Sequence, residues 1–443
     1  MKYLLETYGC QMNKAESAAL EALFRERSWL PGTLEDADLV LINTCTVRAT
    51  AENRAWGRIA FFAAEKKKRN FSLAVLGCMA EQYHQEIRKR APAVDYVLGT
   101  FQKQAIGLVL DQIENGSDFD LREESPAYVF SSTHHEPGAF RAFVPIMHGC
   151  DNFCSYCIVP YVRGREVSRD PEAILAELDA LAVAGVREVT LLGQNVNSYR
   201  WRGPQGLLDF PALLRLIASR LGSGGRAKEA GIGWIRFLTS HPKDLSDDLI
   251  AVLASEPIYC RHIHLCLQSG SDRVLARMNR KYTKEYFLGL VDKLRKAVPG
   301  LSLSTDILVG FPGESEEDLE DTLEVMRRVG FSYSFMYHFN PREGTPAMKM
   351  DEKVPEKTKK ARLAKVIALQ KETTELLMNV RIGAVDEILV ESLSKRSKKE
   401  ILGRTARDEM VVLPGGVGQI GRFIRVRLVS RSGNTFKAEA VND

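Results

Sequence analysis

The stretch His148-Gly149-Cys150-Asp151-Asn152-Phe153-Cys154-Ser155-Tyr156-Cys157 decides how the chain is read. It carries three thiols on one short loop, spaced Cys-x3-Cys-x2-Cys, with Tyr156 directly before the last. Three thiolates can take three irons of a cubane cluster and leave the fourth iron without a protein ligand. An open metal position is where substrates and cofactors bind in catalytic metal sites generally. A zinc knot on such a loop would normally recruit a fourth Cys or His.

The residues around this loop repeat strand then helix six times. The expected strands are Ala142–Met147, Glu188–Leu192, Trp234–Thr239, His262–Leu267, Ser302–Val309 and Ser332–Phe339. Asp170-Pro171 offers a cap and a first-turn proline to one intervening helix, and Gly185 closes it. Ser315 with Asp318 resembles a capping box. Six such units predict an incomplete (β/α)6 TIM-like barrel, with functional groups at the carboxyl ends of its strands. Cys150, Gln194, His241, Gln268, Gly310 and Asn340 fall at or near those ends.

Upstream, residues 1–133 alternate short β-rich runs with helical ones. Strands are expected at Lys2–Tyr8, Ala37–Asn43, Ser72–Leu76 and Val94–Leu98, and helices from about Lys14 and Ala51. That alternation predicts a parallel α/β sheet, which binds ligands beyond the carboxyl ends of its strands. Cys10, Cys45 and Cys78 each sit in a turn just after a strand: Tyr8-Gly9-Cys10, Asn43-Thr44-Cys45 and Leu76-Gly77-Cys78-Met79. Three thiols at one sheet edge suggest a second cluster, although spacing alone fits buried apolar thiols equally well. Ser131–Gly138 is polar, ends in Pro-Gly and reads as a linker.

Downstream, a charged helix over Pro355–Met378 closes the segment 140–378 and leads to the tail, 379–443. The tail predicts five short strands, with turns at Pro414-Gly415-Gly416 and Ser432-Gly433-Asn434. Ile424, Val426 and Leu428 alternate with Arg425 and Arg427, so aliphatics take one sheet face and arginines the other. A small C-terminal β-barrel follows, with a basic outer surface and a core of its own, folding as a separate domain.

Hydrophobic residues make up 45% of the 443 and charged residues 27%, which suits folded domains. No apolar run approaches the roughly 18–20 residues of a membrane span. Glu6 interrupts the only place for a signal core, so a cytoplasmic location is expected. Thiols stay reduced there, and grouped cysteines then read as metal or redox chemistry. Cys260 and Cys266 flank one expected strand with no partners in view and read as structural fill. His241 and His264 lack ligand spacing and read as hydrogen-bonded histidines. Net charge is +4. Residues 381–443 hold 12 Lys and Arg against 8 Asp and Glu, leaving 49 of each elsewhere, so the net basicity lies in the tail. Lys395-Arg396-Ser397-Lys398-Lys399, with Arg404 and Arg407, offers an electrostatic footprint for phosphates, with a solvated charged loop as the plain alternative.

The Cys150, Cys154 and Cys157 pattern, across its six-unit segment, resembles the radical S-adenosylmethionine superfamily. Residues from about Lys2 to Thr100 resemble the amino-terminal domain of the methylthiotransferases, and the tail resembles a TRAM domain, a small RNA-binding β-barrel. Nearly the whole chain therefore resembles the radical S-adenosylmethionine methylthiotransferase family. The resemblance implies two 4Fe–4S clusters, one on Cys150, Cys154 and Cys157 and an auxiliary one on Cys10, Cys45 and Cys78. It implies S-adenosyl-L-methionine chelated by amine and carboxylate at the open iron of the first.

The match extends to Leu191-Leu192-Gly193-Gln194-Asn195-Val196-Asn197, to Leu267-Gln268-Ser269-Gly270-Ser271, and to the run from Thr305-Asp306 to Gly313-Glu314. By resemblance these strand ends hold the methionine amine, the ribose and the adenine. Cofactor contacts are then expected at Tyr156, Gln194, Asn195, Gln268, Ser269 and Asp306, with Gln194 standing where many members have an acidic residue. RNA contacts are expected at Lys395, Arg396, Lys398, Lys399, Arg404, Arg425 and Arg427.

Arg163-Gly164-Arg165-Glu166-Val167-Ser168-Arg169 and Gly193-Gln194-Asn195-Val196-Asn197 look like the branch that modifies isopentenyladenosine at position 37 of tRNA, in the anticodon stem-loop. The implied reaction adds a methylthio group at carbon 2 of the adenine. That carbon is an unactivated aromatic C–H position, so acid–base catalysis is a poor fit. By resemblance, reductive cleavage of S-adenosylmethionine yields a 5′-deoxyadenosyl radical that removes the hydrogen, and the second cluster supplies sulfur methylated by a second S-adenosylmethionine. Such chemistry needs a reducing electron donor and a sulfur source, and no membrane. Sister enzymes that act on threonylcarbamoyladenosine in tRNA, or on a ribosomal-protein aspartate, share the cysteines. A non-catalytic iron–sulfur RNA-binding protein is the alternative of another class.

Overall fold

Leu39-Val40-Leu41-Ile42 is a four-residue aliphatic run, and all of it is buried. A strand apolar on both faces belongs inside a sheet with helices on either side. In the computed structural model the strand Leu39–Thr44 lies at the centre of a five-stranded parallel sheet. Its neighbours are Lys2–Thr7 and Ser72–Gly77, with Leu30–Pro31 and Tyr96–Leu98 at the two edges. Val40 and Ile42 pack with Ile59, Phe62 and Val75 on one face. Leu39 and Leu41 pack with Phe24, Leu76 and Val109 on the other. The structure describes all residues except 48, 103–104, 118–127, 132–134, 205, 223–230 and 442–443. The expected linker Ser131–Gly138 lies partly outside the described residues.

The chain divides into two compact units. The first comprises Met1–Phe153, Cys157–Leu178 and Leu192–Gln194. Besides the five-stranded sheet it contains the strand Arg141–Pro145 and the short antiparallel pair Met147–His148 and Val167–Ser168. The second comprises Cys154–Tyr156, Asp179–Leu191 and Asn195–Asp443.

In the second unit, Glu188–Leu191 pairs in parallel with Trp234–Phe237, and Ser302–Val309 pairs in parallel with both His262–His264 and Tyr333–His338. Single bridges at Ile235–Tyr259 and Ser240–Leu265 join the two groups. The expected capping box is present: Asp318 N–H donates to Ser315 Oγ, and Ser315 N–H donates back to Asp318. A hairpin, Arg200–Gly203 with Gly206–Asp209, interrupts the strand–helix alternation and has no counterpart in the sequence reading. The helix Glu356–Arg381 then leads to a closed barrel of five strands, Val385–Leu393, Glu400–Thr405, Met410–Pro414, Phe423–Ser432 and Thr435–Ala440. Val426 and Leu428 are buried while Arg425 and Arg427 are exposed, as their alternation requires.

The small barrel has its own core, around Ile388, Val390, Ile401, Val411 and Phe436. It also makes side-chain contacts with the strands of the second unit. Asp408, in the turn before Met410, accepts a hydrogen bond from Tyr333 Oη at 2.6 Å and pairs with Arg404 at 2.7 Å. Arg236 pairs with Glu188 at 2.8 Å and with Asp408 at 3.7 Å, and donates to Thr405 O at 2.8 Å. Trp234 meets Phe423 edge-on, with ring centres 4.9 Å apart. The physical reason is that Glu188, Arg236 and Tyr333 are polar groups within the strands, and buried polar groups need partners.

Removing one member of a buried ion-pair network costs about 3–5 kcal/mol. Asp408→Ala is therefore expected to destabilise the whole second unit by about that much. Urea unfolding followed by tryptophan fluorescence checks this, and an unchanged midpoint would show that the tail is not locked to the strands.

Candidate metal centres

The first centre forms where three parallel strands end. Cys10 caps the helix Gln11–Glu26, Cys45 follows Thr44, and Cys78 opens the helix Cys78–Gln82. Two glycines allow the turns to close up. Gly77 has φ +94°, and a Cβ there would lie 2.5 Å from Thr44 O. A Cβ on Gly9 would lie 2.3 Å from Asn13 Oδ1 and 2.8 Å from Cys45 Cβ. Asn13 ties the turns together: it accepts from Cys10 N–H at 3.3 Å and donates to Asn43 Oδ1 and Thr44 O, each at 3.0 Å.

The structure brings the three thiols together. Cys10 Sγ–H donates to Asn13 Oδ1 at 3.3 Å. The neighbouring Cys45 thiol pulls the proton affinity of Cys10 down against the effect of burial, with help from the Arg163 charge, and Cys10 in turn pushes Cys45 up, reinforced by burial and by Cys78. Arg163 Nε–H donates to Cys78 Sγ at 3.2 Å. Its Nη1 reaches Glu16 Oε1 at 3.0 Å and His148 Nδ1 at 3.4 Å. Arg163 appeared in the sequence only as part of a longer motif. Its partners Cys78 and Glu16 stand 85 and 147 positions away, so no local spacing could mark it.

The loop of residues 150–157 contributes to both units. In the first, Cys150 N–H donates to Gly164 O at 3.1 Å, and Gly149 N–H donates to Gln194 Oε1 at 2.6 Å. Gln194 thus fixes the backbone just before Cys150. In the second, Cys154 is buried with Arg280 Nη1 at 3.4 Å from its sulfur. Arg280 also donates to Cys266 O at 2.6 Å and to Tyr282 Oη at 3.1 Å. Sequence reading missed Arg280 for the same reason it missed Arg163. Ser155 is held by Met278 O and by Ala347 N–H, at 3.0 and 2.8 Å, and Tyr156 packs against Phe311.

The other expected cofactor residues also lie in the second unit. Asn195 donates to Asp244 Oδ2 at 2.7 Å and accepts from His241 N–H at 3.2 Å. Gln268 is buried with φ +69°, a conformation disfavoured for a residue with a side chain and worth a functional hypothesis. Ser269 Oγ lies 3.3 Å from Thr322 Oγ1. Asp306 Oδ2 lies 3.2 Å from His264 Nε2 and 3.5 Å from Cys266 Sγ.

Cys266 therefore has partners, and its reading as mere fill is corrected: strand pairing lays it beside Asp306, which lies 40 positions away in sequence. The ligand atoms of His264, Cys266 and Asp306 all lie within 4.8 Å of one another. Burial opposes charge on His264, but Cys266 and Asp306 outweigh it and lift the imidazole to about 10. The trio is a compact, largely buried cluster of imidazole, thiol and carboxylate. His241 is the opposite case. Burial, then Arg280 and Lys243, push it down to about 2, and its neutral Nδ1 accepts from Lys243 N–H at 3.2 Å.

In the tail, Lys395, Arg396, Lys398 and Lys399 are exposed, as are Arg425 and Arg427. Arg404 instead turns inward to Glu391 and Asp408, at 2.9 and 2.7 Å. No helix among the described residues is long and apolar enough to cross a membrane.

Comparison with known proteins adds the following. The Radical SAM superfamily matches residues 144–326, the Uncharacterized protein family UPF0004 matches residues 2–99, and the TRAM domain matches residues 379–441. The chain is 49% identical to a tRNA-2-methylthio-N(6)-dimethylallyladenosine synthase of Treponema pallidum, over 100% of this chain and 99% of that one. It is 42% identical to the synthase of the same name from Bacteroides fragilis, over 99% of this chain and 96% of that one. Among solved structures, the radical S-adenosylmethionine methyltransferase TsrM from Kitasatospora setae matches with a TM-score of 0.61 at 15% identity, covering 78% of this chain and 77% of that one. That likeness shows the fold alone, a mixed α/β architecture with a partial barrel of the radical S-adenosylmethionine type. Full-length identity at this level is the stronger finding, and by it the chain belongs to the radical S-adenosylmethionine methylthiotransferase family.

Proposed function

We propose that this chain transfers a methylthio group to carbon 2 of isopentenyladenosine at position 37 of tRNA. The observation that carries the reading is the 49% identity, from one end of the chain to the other, with synthases named for that product. In this reading Cys150, Cys154 and Cys157 hold one 4Fe–4S cluster and Cys10, Cys45 and Cys78 hold the other. Each set offers three thiols, the right chemistry for three irons of a cubane with one iron left open. When bound, the clusters and S-adenosylmethionine supply the electron, the hydrogen-abstracting radical and the sulfur.

The protein's own residues position these groups. Gln194 holds the backbone before Cys150, and Arg280 sets a fixed positive charge beside Cys154. Tyr156, Asn195, Gln268, Ser269 and Asp306 are assigned to the S-adenosylmethionine side. Gln268 has its backbone fixed by a hydrogen bond from its N–H to Asp306 O at 2.8 Å. The tail is assigned to RNA through Lys395, Arg396, Lys398, Lys399, Arg425 and Arg427. Arg404 is left out of that set because its charge is already spent on Glu391 and Asp408. The three segments, 1–133, 140–378 and 379–443, take the sulfur-carrying, radical-generating and RNA-holding roles in turn. An electron donor and a sulfur source complete the cycle, in the cytoplasm.

Nucleoside mass spectrometry tests the reaction. Anaerobic incubation with iron, sulfide, reductant, S-adenosylmethionine and isopentenylated tRNA is expected to yield the methylthio nucleoside. Conversion of threonylcarbamoyladenosine instead, or of neither base, overturns the assignment.

Two further outcomes separate the parts. Changing Cys10, Cys45 and Cys78 together to Ala is expected to remove about four of about eight irons. That variant should still release 5′-deoxyadenosine but form no methylthio product. Normal product from it would sink the sulfur-carrier role. In the tail, changing Lys395, Arg396, Lys398 and Lys399 to Ala is expected to weaken binding of an anticodon stem-loop. It should also flatten the dependence of log affinity on log salt by about 0.7–0.9 per lost phosphate contact. Equal slopes would make that loop a solvated surface only.

A further inference from the structure

We propose that Arg163 is the hydrogen-bond donor that sets the reduction potential of the cluster held by Cys10, Cys45 and Cys78. The inference rests on the assignment of those three cysteines as ligands.

Arg163 is 2% exposed, and its neighbours Cys78 and Glu16 are 1% and 5% exposed. A cation so deeply buried is costly unless its charge is met nearby. Its Nη1 is directed to Glu16 and His148, and its Nε–H to the sulfur of Cys78. In a planar guanidinium the Nε–H and one Nη2–H project side by side from the same edge, the edge that grips two acceptors at once. Nη2 is fully buried and has no hydrogen-bond partner among the described residues. The edge facing Cys78 therefore holds a second donor, charged and buried, beside the thiols. A ligating thiolate and the adjacent inorganic sulfide are two sulfur acceptors that such an edge can serve together.

Several features argue that this placement is built. The Glu16 carboxylate orients the guanidinium from the helix that Cys10 caps. Cys78 packs against Ile158, which precedes the short helix Val159–Val162, and against Val162, its last residue before Arg163. Thr100 Oγ1 donates to Val162 O at 2.6 Å and holds that helix down. His148 is stacked on Tyr128, with ring centres 3.5 Å apart, and limits the guanidinium from the other side.

The chemical consequence follows from charge. A hydrogen bond to cluster sulfur stabilises the reduced, more negative state more than the oxidised one and so raises the potential. Bonding a carbon-centred radical to a sulfur anion leaves one electron over. A cluster held by these cysteines would be the acceptor of that electron, which a higher potential would favour. Glu16 works the other way, since its negative charge partly offsets the cation.

The test uses the full chain carrying Cys150→Ala, Cys154→Ala and Cys157→Ala, reconstituted with iron and sulfide, so that only the second cluster titrates. Its midpoint potential is read by electron paramagnetic resonance during a redox titration, with iron counted in parallel. Arg163→Gln is expected to lower the midpoint at unchanged iron content. Arg163→Lys, with the charge but without the paired donors, should recover part of the shift. Glu16→Gln should raise the midpoint. Equal midpoints in Arg163→Gln and the parent, both with full iron, overturn the proposal. If Arg163→Gln fails to hold iron, Glu16→Gln decides: an upward shift supports the proposal and no shift overturns it. A parent without any iron–sulfur signal takes down the ligand assignment and this inference with it, an outcome distinct from an unshifted signal.

Discussion

The pairing register of three parallel strands is the constraint on which the first candidate metal centre depends. Thr7 lies opposite Asn43, and Thr44 lies opposite Gly77. Strands paired in this way end level, so the turns that leave them start side by side. A slip of one residue would reverse the faces of every side chain in the slipped strand. Here the register is pinned by the aliphatic alternation of Leu39–Ile42, which feeds two separate cores. The packing of apolar side chains thus fixes, at a distance, where three sulfurs meet.

A second theme is buried positive charge beside sulfur. Arg163 stands against Cys78, and Arg280 stands against Cys154. Each is stationed deep in its own unit, and each carries partners that hold its direction: Glu16 and His148 for the first, Tyr282 and the Cys266 carbonyl for the second. An iron–sulfur cluster with thiolate ligands brings negative charge into a poorly solvated place. Guanidinium groups that stay charged at every working pH offset it, in a way that lysine or histidine could not guarantee.

Much of this was legible in the sequence, and the reasons for the exceptions are physical. The parallel sheet, the six strand–helix units, the capping box at Ser315 and the five-stranded tail barrel were all written in local patterns of period and punctuation. The grouping of Cys10, Cys45 and Cys78 followed from strand ends. What escaped was set by contacts between residues distant in sequence. Arg163, Arg280 and the trio of His264, Cys266 and Asp306 have no local signature. The hairpin at Arg200–Asp209 is short, and its strands carry a mixed polar pattern with little alternation. The ties of Asp408 to Arg236 and Tyr333 have no local signature either, since Tyr333 stands 75 positions from it.

The closure of the tail barrel also has a consequence for how the protein is made. The strand Thr435–Ala440 pairs with Met410–Val412 on one side and with Val426–Ser432 on the other, so the barrel cannot shut before those residues exist. Roughly two hundred residues separate Arg236 from that strand. At about 5–20 residues per second, a ribosome needs roughly 10–40 s to cover them. For most of that interval Arg236 has Glu188 but not Asp408, and Tyr333, once made, waits for the same carboxylate. The last contacts to this carboxylate and the closing strand of the barrel thus become available only late in synthesis.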